Sequence, residues 1–227
     1  MQKISVVIPA FNEEERVGAV VRGVLGHPLL TEVIVVDDGS TDRTAERARE
    51  AGASVIRLPE NQGKGGAMSA GVEVSTGSIL LFLDADIAGY TYENISRIIE
   101  PVVTEEYDMY VGILARKVLW LNRILHIFPI LSGTRAVTRD LWFSVPAEYK
   151  HRFQIEIALN YFSKYTKRGA GLELITGLKQ VPKEKKHGLL LGLCRRIGMI
   201  GHILSIAIRL YIIRSFVSFF ILERKVG

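Results

Sequence analysis

Cysteine is almost absent: Cys194 is the only one in 227 residues. No disulfide can close within the chain, so a disulfide scaffold is excluded. The first apolar run, Ile4 to Ile8, is far shorter than the core of a secretory leader. Both features predict a cytoplasmic catalytic face. Glycine is missing where a dinucleotide site needs it, because "PAFNEEE" after the first apolar run holds no G-x-G-x-x-G. Gly63-Lys64-Gly65 lacks the spacing and the hydroxyl of a phosphate-binding G-x-x-x-x-G-K-[ST] loop. A response-regulator reading wants its acidic pair after strand one, whereas Asp37 and Asp38 follow strand two. No internal repeat or low-complexity tract is present. An acidic excess is also lacking. The net charge is +5, which suits phosphate-bearing substrates, anionic lipid or nucleic acid without choosing among them.

What is present is a regular alternation. Ile4 to Ile8 predicts a strand stopped by Pro9, and Glu13 to Leu25 a helix with Val17, Val20, Val21 and Val24 as its stripe. Glu32 to Val36 is a second strand, with a helix over 42–51 behind "DDGSTD". Ala53 to Leu58 is a third strand, followed by a glycine-rich loop over 59–67 and a helix over 68–74. Ile79 to Leu83 is a fourth. These strands are continuously apolar, as in a parallel sheet covered on both faces. The expected fold is α/β, a doubly wound, mostly parallel sheet. Further on, Asp108 to Leu114 and Leu172 to Val181 read as strands, and Phe153 to Tyr165 as a helix.

In such sheets ligands bind beyond the carboxyl ends of the strands. Those ends carry "PAFNE", "DDGS", "PENQGKGG" and "DAD". A turn after the fourth strand can swing Asp84 and Asp86 toward one cation, and two hard oxygen donors suit Mg²⁺ or Mn²⁺. Such a cation would neutralise charge on a departing phosphate. Asp38 can accept a hydrogen bond from a base or a ribose, although helix capping is its simpler role. Gly63, Gly65 and Gly66 allow close backbone approach, and Lys64 can offset phosphate charge.

Taken together, "VVIPAFNEEERV", "VIVVDDGSTDRT", "PENQGKGGAMSAGVEVSTG" and "ILLFLDAD" resemble family 2 glycosyltransferases of the GT-A fold, over roughly residues 4 to 90. The resemblance implies a UDP- or GDP-linked sugar donor. It places Pro9, Asn12, Glu13 and Asp38 in the nucleoside pocket and makes Asp84 and Asp86 a metal-binding D-x-D. "LSGTRAVTRDLW" is similar to the acceptor segment of polyprenyl-phosphate sugar synthases and sugar-phosphoglycerate synthases, although Ala88 and Thr134-Arg135 depart from the polyprenyl-phosphate pattern. By the same resemblance Glu156 is a functional glutamate and His187 a further metal ligand. Ser132, Gly133, Arg116, Arg135 and Arg139 are the candidate acceptor-binding residues, the arginines as phosphate or carboxylate grips.

The organisation expected is a GT-A domain over 1–181, with a nucleotide-sugar half over 1–90 and an acceptor half over 91–181. A basic linker and an apolar tail follow over 182–227. Within 197–222, Arg209 lies near the middle and the polar residues share one helical face, which favours a helix lying in a membrane interface over one that spans it. The expected acceptor is a membrane lipid such as a polyprenyl phosphate, with the protein peripheral on the inner face of the cell membrane. A soluble phosphoglycerate is the alternative acceptor. Nucleic acid is not an expected partner, and a homodimer is left open. A catalytically silent nucleotide-sugar-binding module is the reading from another class.

Overall fold

A computed structural model describes residues 2–114, 132–151 and 154–180, together with Leu210. The basic linker, the apolar tail apart from Leu210, and the apolar stretch over 117–131 lie outside the described residues. Four strands open the chain: β1 (Ile4–Ala10), β2 (Leu30–Asp37), β3 (Ser54–Arg57) and β4 (Ile79–Phe82). Helices α1 (Val17–Val24), α2 (Thr44–Glu50) and α3 (Gly63–Val74) alternate with them. There follow β5 (Ile87–Ala88), α4 (Tyr92–Val103), β6 (Met109–Leu114), β7 (Arg135–Thr138), α5 (Arg139–Ser144), α6 (Gln154–Phe162), β8 (Ala170–Ile175) and β9 (Lys179–Gln180).

The main sheet has seven strands in the order β3-β2-β1-β4-β7-β6-β8. The first four are mutually parallel, and β8 is parallel to β6. Only β7 runs against its neighbours, pairing Phe82 with Arg135 and Val111 with Arg135. This is the mostly parallel α/β sheet that the apolar strands predict. Valines 17, 20, 21 and 24 of α1 are buried under one face with Ile95, Ile98 and Ile99 of α4. Met68 of α3, Trp142 of α5 and Leu159 of α6 pack on the other face, as does Leu210. Both faces are therefore covered over β1 and β4, which is why those strands read as continuous apolar runs.

Several boundaries differ from expectation for physical reasons. β1 continues past Pro9 to Ala10. The Val7 carbonyl accepts from the Leu83 amide and the Ala10 carbonyl from the Asp38 amide, so Pro9, two residues after Val7, faces the side that β4 leaves after Phe82. Its missing N–H thus breaks no ladder bond. α1 starts at Val17 rather than Glu13, after a turn closed by the Glu13 carbonyl. The stretch expected as a loop over 59–67 is helical from Gly63. Packing explains its glycines: a Cβ on Gly65 would lie 2.3 Å from the Lys150 carbonyl oxygen, and one on Gly71 2.4 Å from Val7. The strand expected over 172–181 stops at Ile175, and the chain passes Gly177 at φ +87° into the short β9. α4 begins with a reciprocal capping box between Thr91 and Asn94. It is absent from the sequence reading above, as are β7 and α5.

Candidate active site

The parallel strands β1, β2 and β4 deliver their carboxyl ends to one edge of the sheet. Because β7 is antiparallel to β4 and begins opposite Phe82, the segment before it, Ser132 to Thr134, lies beside Asp84. Residues from both halves of the chain meet there for that topological reason.

The β1–α1 and β2–α2 loops are laced together. Asn12 sits at φ 54°, in the left-handed region that asparagine tolerates better than most residues. Its amide donates to Ser40 Oγ at 2.9 Å, and its Oδ1 accepts from the Thr41 amide at 2.9 Å. The Glu13 amide donates to Thr44 Oγ1 at 2.7 Å, while the Glu13 carboxylate pairs with Arg16 at 2.5 Å. Asp37, fully buried, accepts from the Ser40 amide at 2.9 Å and lies 3.4 Å from Arg57. Pro9 closes the same edge, half-buried at the end of β1.

Asp38 has a partner the sequence did not indicate. Its two carboxylate oxygens accept from the amides of Gln62 at 2.7 Å and Gly63 at 2.9 Å. It therefore caps α3, not α2, and fixes the turn that carries Lys64. Burial raises its pKa, and the two amide donors oppose that shift.

Lys64 is the centre of the site. Its ammonium donates to Asp84 Oδ1 and, at 2.6 Å, to Glu156 Oε1. The side chains of Lys64, Asp84 and Glu156 are only 15%, 20% and 6% exposed. Burial alone would lower the lysine pKa; the two carboxylates outweigh it and hold the ammonium above its ordinary range. Gly133 forms the wall. A Cβ there would fall 1.9 Å from Asp84 Oδ1 and 2.2 Å from Lys64 Nζ, so a side chain at 133 would displace both groups from where they stand.

A β-turn follows β4, closed by the Ile87 amide on the Asp84 carbonyl. Asp86, within that turn, accepts from Gln180 Nε2 of β9 at 2.9 Å. The buried Tyr90 hydroxyl shares a 2.7 Å hydrogen bond with Thr134 Oγ1. Burial, with the negative charge of Asp84 and Asp86 added, keeps this phenol well above its usual pKa and neutral. Tyr90, Thr134 and Gln180 join the site without any signal that sequence spacing provides. Among the described residues, no group of three or more histidine, cysteine or acidic side chains could hold a metal ion.

The acceptor-side arginines have partners that the sequence did not indicate. Arg135 is fully buried and donates to the Ser132 carbonyl, to the Glu156 carbonyl at 3.3 Å and to Asn160 Oδ1 at 3.2 Å. Burial lowers its pKa against the pull of Glu156 and Asp84. Arg139 donates to the carbonyls of Gly77 at 2.6 Å and Ser75 at 2.9 Å, behind the end of α3. Both guanidiniums are engaged by groups of the chain itself, chiefly backbone carbonyls. Ser132 is buried as well, its hydroxyl donating to the Gly112 carbonyl at 2.6 Å. Arg116 and His187 lie outside the described residues.

The model of the family described as Glycosyl transferase family 2 matches residues 5–142, more than half of the chain. A glucosyl-3-phosphoglycerate synthase of Mycolicibacterium smegmatis is 38% identical over 110 residues, covering 44% of this chain and 36% of that protein. A dodecaprenyl-phosphate galacturonate synthase of Rhizobium johnstonii is 32% identical over 120 residues, covering 48% and 35%. The chain spans less than half the length of these curated relatives. The crystal structure of glucosyl-3-phosphoglycerate synthase from Mycobacterium tuberculosis, in complex with Mn²⁺, UDP-glucose and phosphoglyceric acid, superposes with a TM-score of 0.75 at 24% identity. That superposition covers 91% of this chain and 79% of that one, and it is a likeness of fold. The match over residues 5–142, on a sheet whose strand ends converge as described, identifies the chain as a member of glycosyl transferase family 2.

Proposed function

We propose that this protein transfers a sugar from a nucleotide-diphospho-sugar to an anionic acceptor. The observation that carries the reading is Lys64, whose ammonium is held between Asp84 and Glu156 at the shared edge of β1, β2 and β4. A cation there faces the diphosphate of a donor whose nucleoside lies over Pro9, Asn12, Glu13 and Asp38. Asp38 still suits this role, because each carboxylate oxygen has a second lone pair beyond the one given to α3.

The chemistry of the donor set fits a divalent cation. Asp84 and Asp86 are hard oxygen ligands on one β-turn, and Mg²⁺ or Mn²⁺ is commonly held by one or two carboxylates plus substrate phosphates. Asp84 and Asp86 would hold it, with His187 as a further ligand on the resemblance alone. When bound, the ion supplies neutralising charge for the departing nucleoside diphosphate. The Mn²⁺ in the M. tuberculosis synthase supports this choice. The chain's own residues do the rest. Gly133 keeps the wall beside Asp84 free of side-chain atoms. The neutral Tyr90 hydroxyl holds Thr134 against the turn. Glu156 orients an acceptor, and takes its proton where the acceptor is a hydroxyl. A phosphate acceptor requires no base.

The acceptor placed first is a lipid phosphate. Its support is the apolar run over 197–222, flanked by Arg195, Arg196, Arg224 and Lys225, and the dodecaprenyl-phosphate relative. Such an acceptor would hold the protein at the inner face of the cell membrane. Among the described residues, no helix is long and apolar enough to cross a membrane. A soluble phosphoglycerate is the second reading, favoured by the 38% identical synthase. The test incubates radiolabelled UDP- and GDP-sugars with Mn²⁺ and either polyprenyl phosphate in detergent or 3-phosphoglycerate, then partitions the label. Label in the organic phase supports the lipid acceptor, and label in a new aqueous product supports phosphoglycerate. Asp86→Ala should remove the metal-dependent turnover in either case. Tight nucleotide binding with no turnover on any donor would mean a silent binding module instead.

A further inference from the structure

We propose that Lys64 is a built-in counter-cation that couples divalent metal binding to nucleotide binding, by occupying Asp84 until a diphosphate draws it away. This rests on the donor reading above and adds a device to it.

Three observations lead there. The Lys64 ammonium holds Asp84 Oδ1 and Glu156 Oε1 together, in a setting where all three side chains are largely shielded from water. Gly133 shows how closely the space is filled, since even a methyl-sized atom there would lie 2.2 Å from Nζ and 1.9 Å from Asp84 Oδ1. Asp86, the other expected ligand, is engaged by Gln180, and the described residues offer no cluster of three acidic, histidine or cysteine groups. A free divalent ion would meet one carboxylate already neutralised and an ammonium repelling it at short range. Like charges in a shielded site repel far more than in water.

A nucleoside diphosphate changes this balance. It brings several negative charges, and its oxygens complete the coordination that two carboxylates leave open. Lysine suits the exchange because its ammonium is a point charge on a flexible four-carbon stem. The base of that stem stays fixed, since Asp38 caps the turn at Gln62 and Gly63. The ammonium can therefore pivot from Asp84 to a phosphate without any movement of α3. The same pivot removes the cation from Glu156, so that carboxylate faces an acceptor only once a donor is in place.

The experiment measures Mn²⁺ binding to the full chain by electron paramagnetic resonance, without nucleotide and with saturating UDP or GDP. It compares wild type with Lys64→Met and Lys64→Arg, each checked for folding by circular dichroism. Wild type should bind Mn²⁺ at least about tenfold more tightly with a nucleotide than without. Lys64→Met should bind Mn²⁺ alone about tenfold more tightly than wild type does and lose most of the nucleotide dependence. Lys64→Arg, which keeps a cation, should keep both the weak metal binding and the dependence. Wild type binding Mn²⁺ equally well with and without nucleotide overturns the proposal without recourse to any variant. A folded Lys64→Met that binds Mn²⁺ alone no better than wild type overturns it as well. In both cases the donor reading survives. A wild type that takes no Mn²⁺ with either nucleotide overturns the proposal together with the metal-dependent donor reading.

Discussion

Lys64 and Arg135 both reach Glu156, one from each half of the chain. Lys64 meets the carboxylate, and Arg135 meets the backbone carbonyl of the same residue. Lys64 stands at the end of the parallel strands, beside two acidic side chains, on a stem that can swing. Arg135 starts the antiparallel β7 and is wholly inside, its planar fork distributed over the Ser132 carbonyl, the Glu156 carbonyl and Asn160. The difference teaches what each half contributes. In the first half, charged residues sit at strand ends where a ligand can exchange with their partners. In the second, cations are consumed as fixed braces that hold the segment 132–134 and α6 against the sheet, and the site inherits its shape from them.

The sharpest way to break that contrast is Arg135→Met. The change leaves the buried Ser132 carbonyl short of a donor and takes one contact each from the Glu156 carbonyl and the Asn160 side chain, and a buried group left unsatisfied costs about 1–3 kcal/mol. We expect a loss of about 3 kcal/mol in urea unfolding. Arg135→Lys should recover little of it, because one ammonium cannot span partners arranged for a guanidinium. If Arg135 gripped an acceptor instead, both variants would keep wild-type stability and show only a raised KM for the acceptor.

This contrast also explains how much could be read in advance. The first half is legible because each strand there is a continuous apolar run with its polar motif at the carboxyl end, and parallel pairing puts those ends together without further information. Asp84, Asp86 and Lys64 follow from that rule. The second half obeys no such rule. Arg135 and Arg139 look like surface cations until the antiparallel β7 turns them inward against carbonyls at Ser132 and Gly77, and no local pattern announces that strand. Tyr90 and Gln180 reach the site only through tertiary pairing, the latter through the two-residue β5–β9 ladder. Composition alone does not show that the glycines at 63 to 66 open a helix, with Lys150 packed against Gly65. The capping box before α4, with asparagine at the third helical position, is a start signal that the sequence does carry.

A smaller effect, on the other side of the comparison, comes from Asp38→Ala. The side chain accepts from two amides at the start of α3, so its removal should cost about 1 kcal/mol, the net worth of a typical hydrogen bond. Asp38→Asn keeps one acceptor oxygen and should lose less. The informative readout is the pair of stability and UDP affinity. Loss of both together means that the cap and the nucleoside contact are one function of one carboxylate. Loss of stability alone would make Asp38 as purely structural as Arg135 and remove the contrast at this position.

The smallest expected effect is at Gln180, where the second half of the chain touches the first through a side chain rather than a buried brace. Gln180 Nε2 donates to Asp86 Oδ2 at an exposed site, so the net worth of the contact is well below that of a buried bond. Gln180→Ala should change the urea midpoint by less than about 0.5 kcal/mol, as surface substitutions usually do. Its consequence should lie in aim rather than stability. Without the amide, Asp86 is free to sample other rotamers, and Mn²⁺ affinity measured in the presence of UDP should fall by a factor of about two to three. An affinity that rises instead would mean that Gln180 restrains Asp86 away from the metal, and the β5–β9 ladder would then oppose the site it borders.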